Sequence, residues 1–434
     1  MNKNTKTRPC LIICFLLAVS LICLSLEETS RVPLIPYNSH ITIGLYCFGL
    51  IILPLYRFSV SMRKSILIQI FLLWLLFVIS IMSALWSYYP YLVLKRSFII
   101  FLPLIILSLM VFSDKRPIDT NITVLTIFSI FGFALSLYGL ILYFFGSNLL
   151  TSEGHTIQVL QLGPVVLDQR IYGHKPFHRI SSLAGNPNNL GAILMISIPA
   201  TITIWLTRKK NSISLLLGLL IQIMALILTY SRTAIACTLI IIWLIVVANL
   251  GLKKTIAIGM LLLVVLLPLV IAKISFAANN ILDSSRFTLD LNKREVAWLP
   301  LLDSIREKPF LGVGFGTSTE SILQKSGVDL SAHSLHIGLL SEIGIIGYTL
   351  FALYWLYTLI IGMFALKRAQ SDCLIKALLI FCLSVSTGLI FHQIFEFKVL
   401  RFDYMNHIWG YISFTTSIIT GLALETRQES EITT

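Results

Sequence analysis

Charged residues are scarce in this 434-residue chain, at 12% of the total, about half the share of an ordinary soluble domain. Acidic residues are scarcer than basic ones, 20 Asp and Glu against 33 Lys and Arg, which leaves a formal net charge of +13. With 56% of the residues hydrophobic, there is too little polar surface for a water-soluble fold. Cysteine is missing from every long polar stretch. All seven (Cys10, Cys14, Cys23, Cys47, Cys237, Cys373, Cys382) fall inside or at the ends of apolar runs. That excludes a disulfide framework and a thiolate metal site, and leaves them as small apolar helix residues.

Long apolar runs are what the chain has in abundance. Leu11 to Leu26, Ile66 to Leu85, Ile122 to Phe145 and Ile213 to Thr229 are examples long enough for about 30 Å of hydrocarbon. Backbone polar groups in lipid must be satisfied within the segment, so the runs are helices. Runs at 10–26, 41–56, 65–85, 97–112, 121–145, 189–206, 213–230, 234–250, 255–272, 337–366, 373–394 and 405–424 predict an all-α polytopic membrane protein with about twelve transmembrane helices. Lys3, Lys6 and Arg8 precede the first run as in a secretory signal, but Glu27, Glu28, Thr29, Ser30 and Arg31 lack a small-x-small cleavage pattern. The run is therefore read as a retained helix.

Every second connection is short and basic: Arg57/Arg63/Lys64, Lys115/Arg116, Arg208/Lys209/Lys210, Lys253/Lys254 and Lys367/Arg368. The positive-inside rule puts these, and both termini, in the cytoplasm. Residues 1–272 then carry nine helices and an outer loop at about 146–188, residues 273–336 form a large outer loop, and residues 337–434 carry the last three helices and a cytoplasmic tail. About half of all Lys and Arg lie on the outer side. Salt bridges to the outer acids Asp168, Asp283, Asp290, Glu295, Asp303 and Glu307 would account for them. So would an anionic phosphate or pyrophosphate ligand, which suits the planar donor fork of arginine.

In the large outer loop, Val296, Leu299, Leu302 and Ile305 recur at helical spacing, which predicts a helix from about Arg294 to Glu307 lying along the membrane surface and stopped by Pro309. The glycines Gly312, Gly314 and Gly316 of GVGFG follow. No strand or basic anchor accompanies them, so they read as a turn packed against helices rather than a nucleotide cradle. His174 and His178 have the spacing of a helical metal pair, and His333 and His336 are also close. Pro176 breaks the first pair's helix and neither pair has carboxylates at ligand spacing, so no metal and no cofactor are expected.

The order Arg294, Trp298, Pro309, GVGFG, His333, then Glu342, Gly344 and Gly347 resembles the large periplasmic loop of the bacterial O-antigen ligase and polymerase family. Ser334 stands where that family has Asn and His336 where it has an aromatic. LAGNPNNLG (Leu183 to Gly191) behind Arg179 resembles the family's Gly-Asn-Pro-Asn helix start. Tyr230-Ser231-Arg232-Thr233 is similar to its Ser-Arg turn, and Trp86-Ser87 to Pro90, with Lys95 and Arg96 after it, to its first outer motif.

The resemblance implies an enzyme of the bacterial inner membrane that moves a glycan from undecaprenyl pyrophosphate to a hydroxyl at the periplasmic face. The acceptor would be lipid A core for a ligase, the favoured reading, or another lipid-linked glycan for a polymerase. Membrane lipids are partners and nucleic acid is not. A secondary transporter or flippase for an anionic lipid-linked substrate is the competing class, but the charges gather at one interface rather than the midplane. The donor is already activated, so the chemistry needs cations for the departing pyrophosphate and a base for the acceptor proton. His333 is expected as base. Arg232, which interrupts an apolar stretch at the outer ends of two helices, leads the phosphate candidates, followed by Arg294 and Arg286. Arg179, Lys95 and Arg96 are further candidates and equally suit snorkelling interfacial residues. Glu342 would orient the base or pair with an arginine, and Asn186 joins the expected substrate contacts. The chain has no Asp-x-Asp or Asp-Asp pair, in keeping with metal-free transfer.

Overall fold

The computed structural model describes residues 9–25, 38–52, 64–150, 156–172, 178–207, 212–251, 294–369 and 372–432. Among them are thirteen α-helices: α1 (Pro9–Ser25), α2 (Asn38–Ile52), α3 (Lys64–Met82), α4 (Pro90–Phe112), α5 (Pro117–Phe145), α6 (Pro187–Thr207), α7 (Ile213–Leu228), α8 (Arg232–Leu250), α9 (Arg294–Glu307), α10 (Ser318–Ser326), α11 (Leu335–Arg368), α12 (Cys373–His392) and α13 (Tyr404–Ile432). Seven are long and apolar enough to cross a membrane, and Leu11–Leu24 and Ile213–Leu228 are shorter apolar helices. The chain is a multi-pass membrane protein. The run expected at 255–272 lies outside the described residues.

Helix α13 is not among the seven, although a span is expected at 405–424. The reason is its position. Trp409, Phe414, Ser413, Thr415, Thr416, Ser417 and Thr420 are all buried, and α13 packs against α1, α3, α4, α5, α11 and α12. A helix sheathed by others needs no lipid-facing apolar surface and can carry hydroxyls instead. Those hydroxyls join helices. Gln69 on α3 donates to Ser413 Oγ (2.9 Å) and Thr358 Oγ1 (3.1 Å) and accepts from Ser417 Oγ (2.5 Å). A second buried set joins α5, α6 and α7 through Ser129 and Thr201 (2.7 Å) and through Ser197 and Gln222 (2.8 Å).

The connection after α5 is not all-helical as expected. It forms a three-stranded antiparallel sheet, β1 (Ser147–Leu150), β2 (Thr156–Leu162) and β3 (Val165–Ile171), in that order. β-Branched residues in β2 and β3 favour strands, and Gly163, at φ +61°, allows the tight turn between them. Gln169 Nε2 donates to Gly139 O (3.0 Å) and Tyr138 Oη to Asp168 O (2.7 Å), which seats the sheet on the end of α5.

Helix α9 runs over the expected residues and ends before Pro309. Leu299 and Leu302 are exposed, while Ala297 and Leu301 are buried with Ile322 and Ala332 in a small separate core. Helix α11 is broken at Gly344 (φ +61°, ψ −170°), which sets its first turns apart from the long remainder.

Candidate active site

Five connections meet at one end of the bundle. Trp86, ahead of α4, donates its indole N–H to Leu311 O (3.2 Å). Arg179 donates to Thr229 O (2.8 Å), joining the segment before α6 to the α7–α8 turn. Lys398, between α12 and α13, donates to Asn189 Oδ1 on α6 (2.9 Å), and Arg401 donates to Ser318 Oγ (2.6 Å). The sequence therefore places its candidates in segments that the fold does gather.

His333 sits at the start of α11. Trp298 Nε1 donates to Ala332 O (2.9 Å), so the residue before His333 is pinned by α9. Arg294 lies four residues before Trp298, one turn along the same helix face. This gives the Arg-x-x-x-Trp spacing a physical meaning: one turn of α9 anchors the His333 segment and brings a guanidinium to it. Burial lowers the His333 pKa, and the charges of Arg294 and Lys398 lower it further. The imidazole is thus held neutral and able to accept a proton.

Arg294 is 3.6 Å from Glu396 and stacks near the Phe395 ring. Burial lowers its pKa, Glu396 opposes this, and Arg232 adds to it, so Arg232 and Arg294 share one electrostatic environment. Arg232 is the first residue of α8 and is exposed. Arg179 also donates to Asn188 Oδ1 (2.8 Å). Asn186 accepts from Asn188 N (2.8 Å) and Leu190 N pairs with its carbonyl (3.1 Å), so it caps the start of α6. Arg286 and His174 lie outside the described residues.

Two candidates occupy a neighbouring, structural part of this end. Glu342 is fully buried. Its carboxylate accepts from Arg401 Nη2 (2.5 Å), Gly316 N (2.8 Å) and Ser318 N (3.2 Å), which satisfies a charge that would otherwise be costly to bury. Arg96 makes a two-pronged pair with Glu320 (2.7 and 2.8 Å) and donates to Gly316 O. Lys95 beside it is exposed. The GVGFG turn is held between these charges and α11: Val313 N donates to Ser341 O (2.9 Å), Gly314 N to Glu342 O (2.8 Å) and Ile345 N to Pro309 O (2.9 Å). It is a structural turn locked on the break in α11.

Backbone strain collects at the same end. The non-glycine residues with positive φ among those described are Ser182, Tyr230, His333 and Leu400. Each lies at the site or within a few residues of Arg179, Arg232 or Arg401. Left-handed backbone costs roughly 1–3 kcal/mol at such residues and persists only where surrounding structure enforces it.

Glu396, Lys398, Arg401 and Asp403 carried no expectation, because their connection is short and has no motif. Their signal is charge alone: four ionisable residues in eight positions between two apolar runs. Among the described residues, no three His, Cys, Asp or Glu side chains lie together as a metal would require.

A bundle of apolar, membrane-length helices thus carries at one end a half-buried imidazole whose pKa is lowered, with several cations around it. Residues 215–352 match the family model described as O-Antigen ligase. That stretch contains Arg232, Arg294, His333 and Glu342, and its similarity supports an O-antigen ligase family assignment. Comparison with curated proteins gives no match.

Proposed function

We propose that the protein transfers a glycan from undecaprenyl pyrophosphate to a hydroxyl of lipid A core, at the periplasmic face of the inner membrane and without a metal. His333 accepts the proton of the acceptor hydroxyl. The freed oxygen attacks the anomeric carbon, the carbon–oxygen bond to pyrophosphate breaks, and its electron pair stays on the pyrophosphate. Arg232, Arg294 and Arg179 stabilise that charge. The observation that carries this reading is the His333 environment, where burial, Arg294 and Lys398 together favour the neutral imidazole. A general base is effective only in that form.

The test is reconstitution with a lipid-linked glycan and lipid A core. His333→Ala should lower turnover about a hundredfold or more, the usual scale for a positioned base, with donor binding little changed. Near-wild-type transfer by a correctly inserted His333→Ala protein would overturn the assignment. Product on lipid A core supports the ligase, and lengthening of the lipid-linked glycan instead would make the enzyme a polymerase.

A further inference from the structure

The connection between α12 and α13 brings Glu396, Lys398, Arg401 and Asp403 to the site. Arg401 belongs to Glu342 and the GVGFG turn. The other three lie on the His333 side. Glu396 is 8% exposed, and its carboxylate is 3.6 Å from Arg294. Its backbone carbonyl accepts from Leu335 N (3.0 Å), two residues beyond His333. Lys398 is held at both ends: its backbone N–H donates to Gln393 Oε1 (2.9 Å), and its ammonium reaches Asn189 Oδ1 (2.9 Å) and Asp403 Oδ2 (3.2 Å). It is thus fixed on the start of α6, next to Asn188, which accepts from Arg179.

We propose that Lys398 is a ligand of the donor pyrophosphate and that Glu396 is a positioning residue, neutralising Arg294 and Lys398 in the ligand-free site and taking up a proton when the pyrophosphate binds. This rests on the pyrophosphate reading given above. Partly buried cations are stabilised by an anionic partner, and in the ligand-free protein Glu396 supplies it for Arg294 and, together with Asp403, for Lys398. A pyrophosphate diester is dianionic across the neutral range. When it arrives among the same cations, two anions compete for them, and protonation of the carboxyl removes the repulsion.

The groups that act on Glu396 are Lys398 and Asp403 from its own connection, Arg294 from α9 and Arg179 from the segment before α6. Burial raises its pKa and Asp403 adds to this, against the three cations. The carboxyl is therefore already nearer protonation than an ordinary one. Because the bound state holds the extra proton, donor binding strengthens as pH falls.

The experiment measures binding of a polyprenyl diphosphate N-acetylglucosamine to the full chain in nanodiscs, from pH 5.5 to 8. Lys398→Gln should weaken binding at least about tenfold, the loss of one charge-assisted contact. Glu396→Gln should tighten binding at pH 8 by about threefold or more and flatten its dependence on pH, whereas Glu396→Asp should keep the wild-type dependence. A purely structural role would weaken binding in both variants. Weaker binding in Glu396→Gln, or an unaltered pH dependence, overturns the role of Glu396. Wild-type affinity in Lys398→Gln overturns that of Lys398. Arg294→Gln separates the levels: if it too binds like wild type, the pyrophosphate reading itself fails, and if it alone binds weakly, only this inference does.

Discussion

Gly344→Ala is the substitution whose cost follows most directly from the geometry. At φ +61° and ψ −170° the residue occupies a region that essentially only glycine adopts, so any side chain there costs at least about 1–2 kcal/mol. An added Cβ would also lie 2.2 Å from Phe310 O, 2.3 Å from Phe310 C and 2.6 Å from Leu311 N. These are backbone atoms that cannot rotate away. Moving them would break the bonds from Ile345 N to Pro309 O and from Gly314 N to Glu342 O. A Cβ added at Gly312, at φ +67°, would likewise lie 2.4 Å from Glu342 C on the other side, so the two segments pass each other with no slack. Overpacking of this kind adds roughly 1–3 kcal/mol, for a total of about 2–5 kcal/mol. Gly327→Ala is the control, since Gly327 has φ +70° but nothing within 4 Å and suffers the backbone cost alone. Thermal unfolding of the detergent-solubilised protein should show a clearly larger loss for Gly344→Ala than for Gly327→Ala, with transfer activity lost only in the former. Equal losses would refute the tight crossing of the GVGFG turn and α11.

Three further outcomes are expected. The acid limb of kcat/KM should lie below the ordinary imidazole value near 6.5, because His333 must be neutral to act and its pKa is lowered by burial, Arg294 and Lys398; a pH–rate profile with its acid limb at or above that value assigns the base elsewhere. Arg232→Lys keeps the charge but loses the two-pronged geometry, so donor binding and turnover should both fall; unchanged donor affinity in Arg232→Lys and Arg232→Ala would remove the pyrophosphate from this residue. Exhaustive chelation should leave transfer intact, and activity restored only by Mg²⁺ or Mn²⁺ would reject the metal-free mechanism and turn attention to His174, His178 and the outer carboxylates.

What could be read from the sequence was whatever local chemistry decides. Pro309 ends α9, and Asn186 with Pro187 starts α6, because proline and asparagine act within a few residues of themselves. What could not be read depends on partners distant in sequence. Arg96 and Glu320 are far apart in the chain and become a pair only when α10 packs beside α4. Arg401 gives no hint in the sequence that it balances Glu342. Helix α13 fails a hydropathy test because its neighbours, not lipid, surround it. The strands after α5 lie in a loop whose apolar content is too modest to stand out against spans on either side.

The charges at this end of the bundle fall into two kinds, and the distinction bears on which arginines can do chemistry. Arg96 with Glu320, and Arg401 with Glu342, are geometrically closed pairs that also hold backbone groups of the GVGFG turn. Opening either for a ligand would release the turn and, for Glu342, leave a fully buried carboxylate without its cation, a loss of roughly 3–5 kcal/mol. The charges felt at Arg294 and Glu396 form the other kind: Arg294, Arg232, Arg179 and Lys398 against Glu396 and Asp403. Four cations face two carboxylates there, and burial works against the charged form of both Arg294 and Glu396. Such a group is stabilised by a dianion, since the added charge relieves the repulsion between Arg232 and Arg294 without dismantling any turn. The excess positive charge stands beside an imidazole whose pKa is lowered, so on the proposed function a departing pyrophosphate and an acceptor proton would be served by adjacent groups of opposite electrostatic demand.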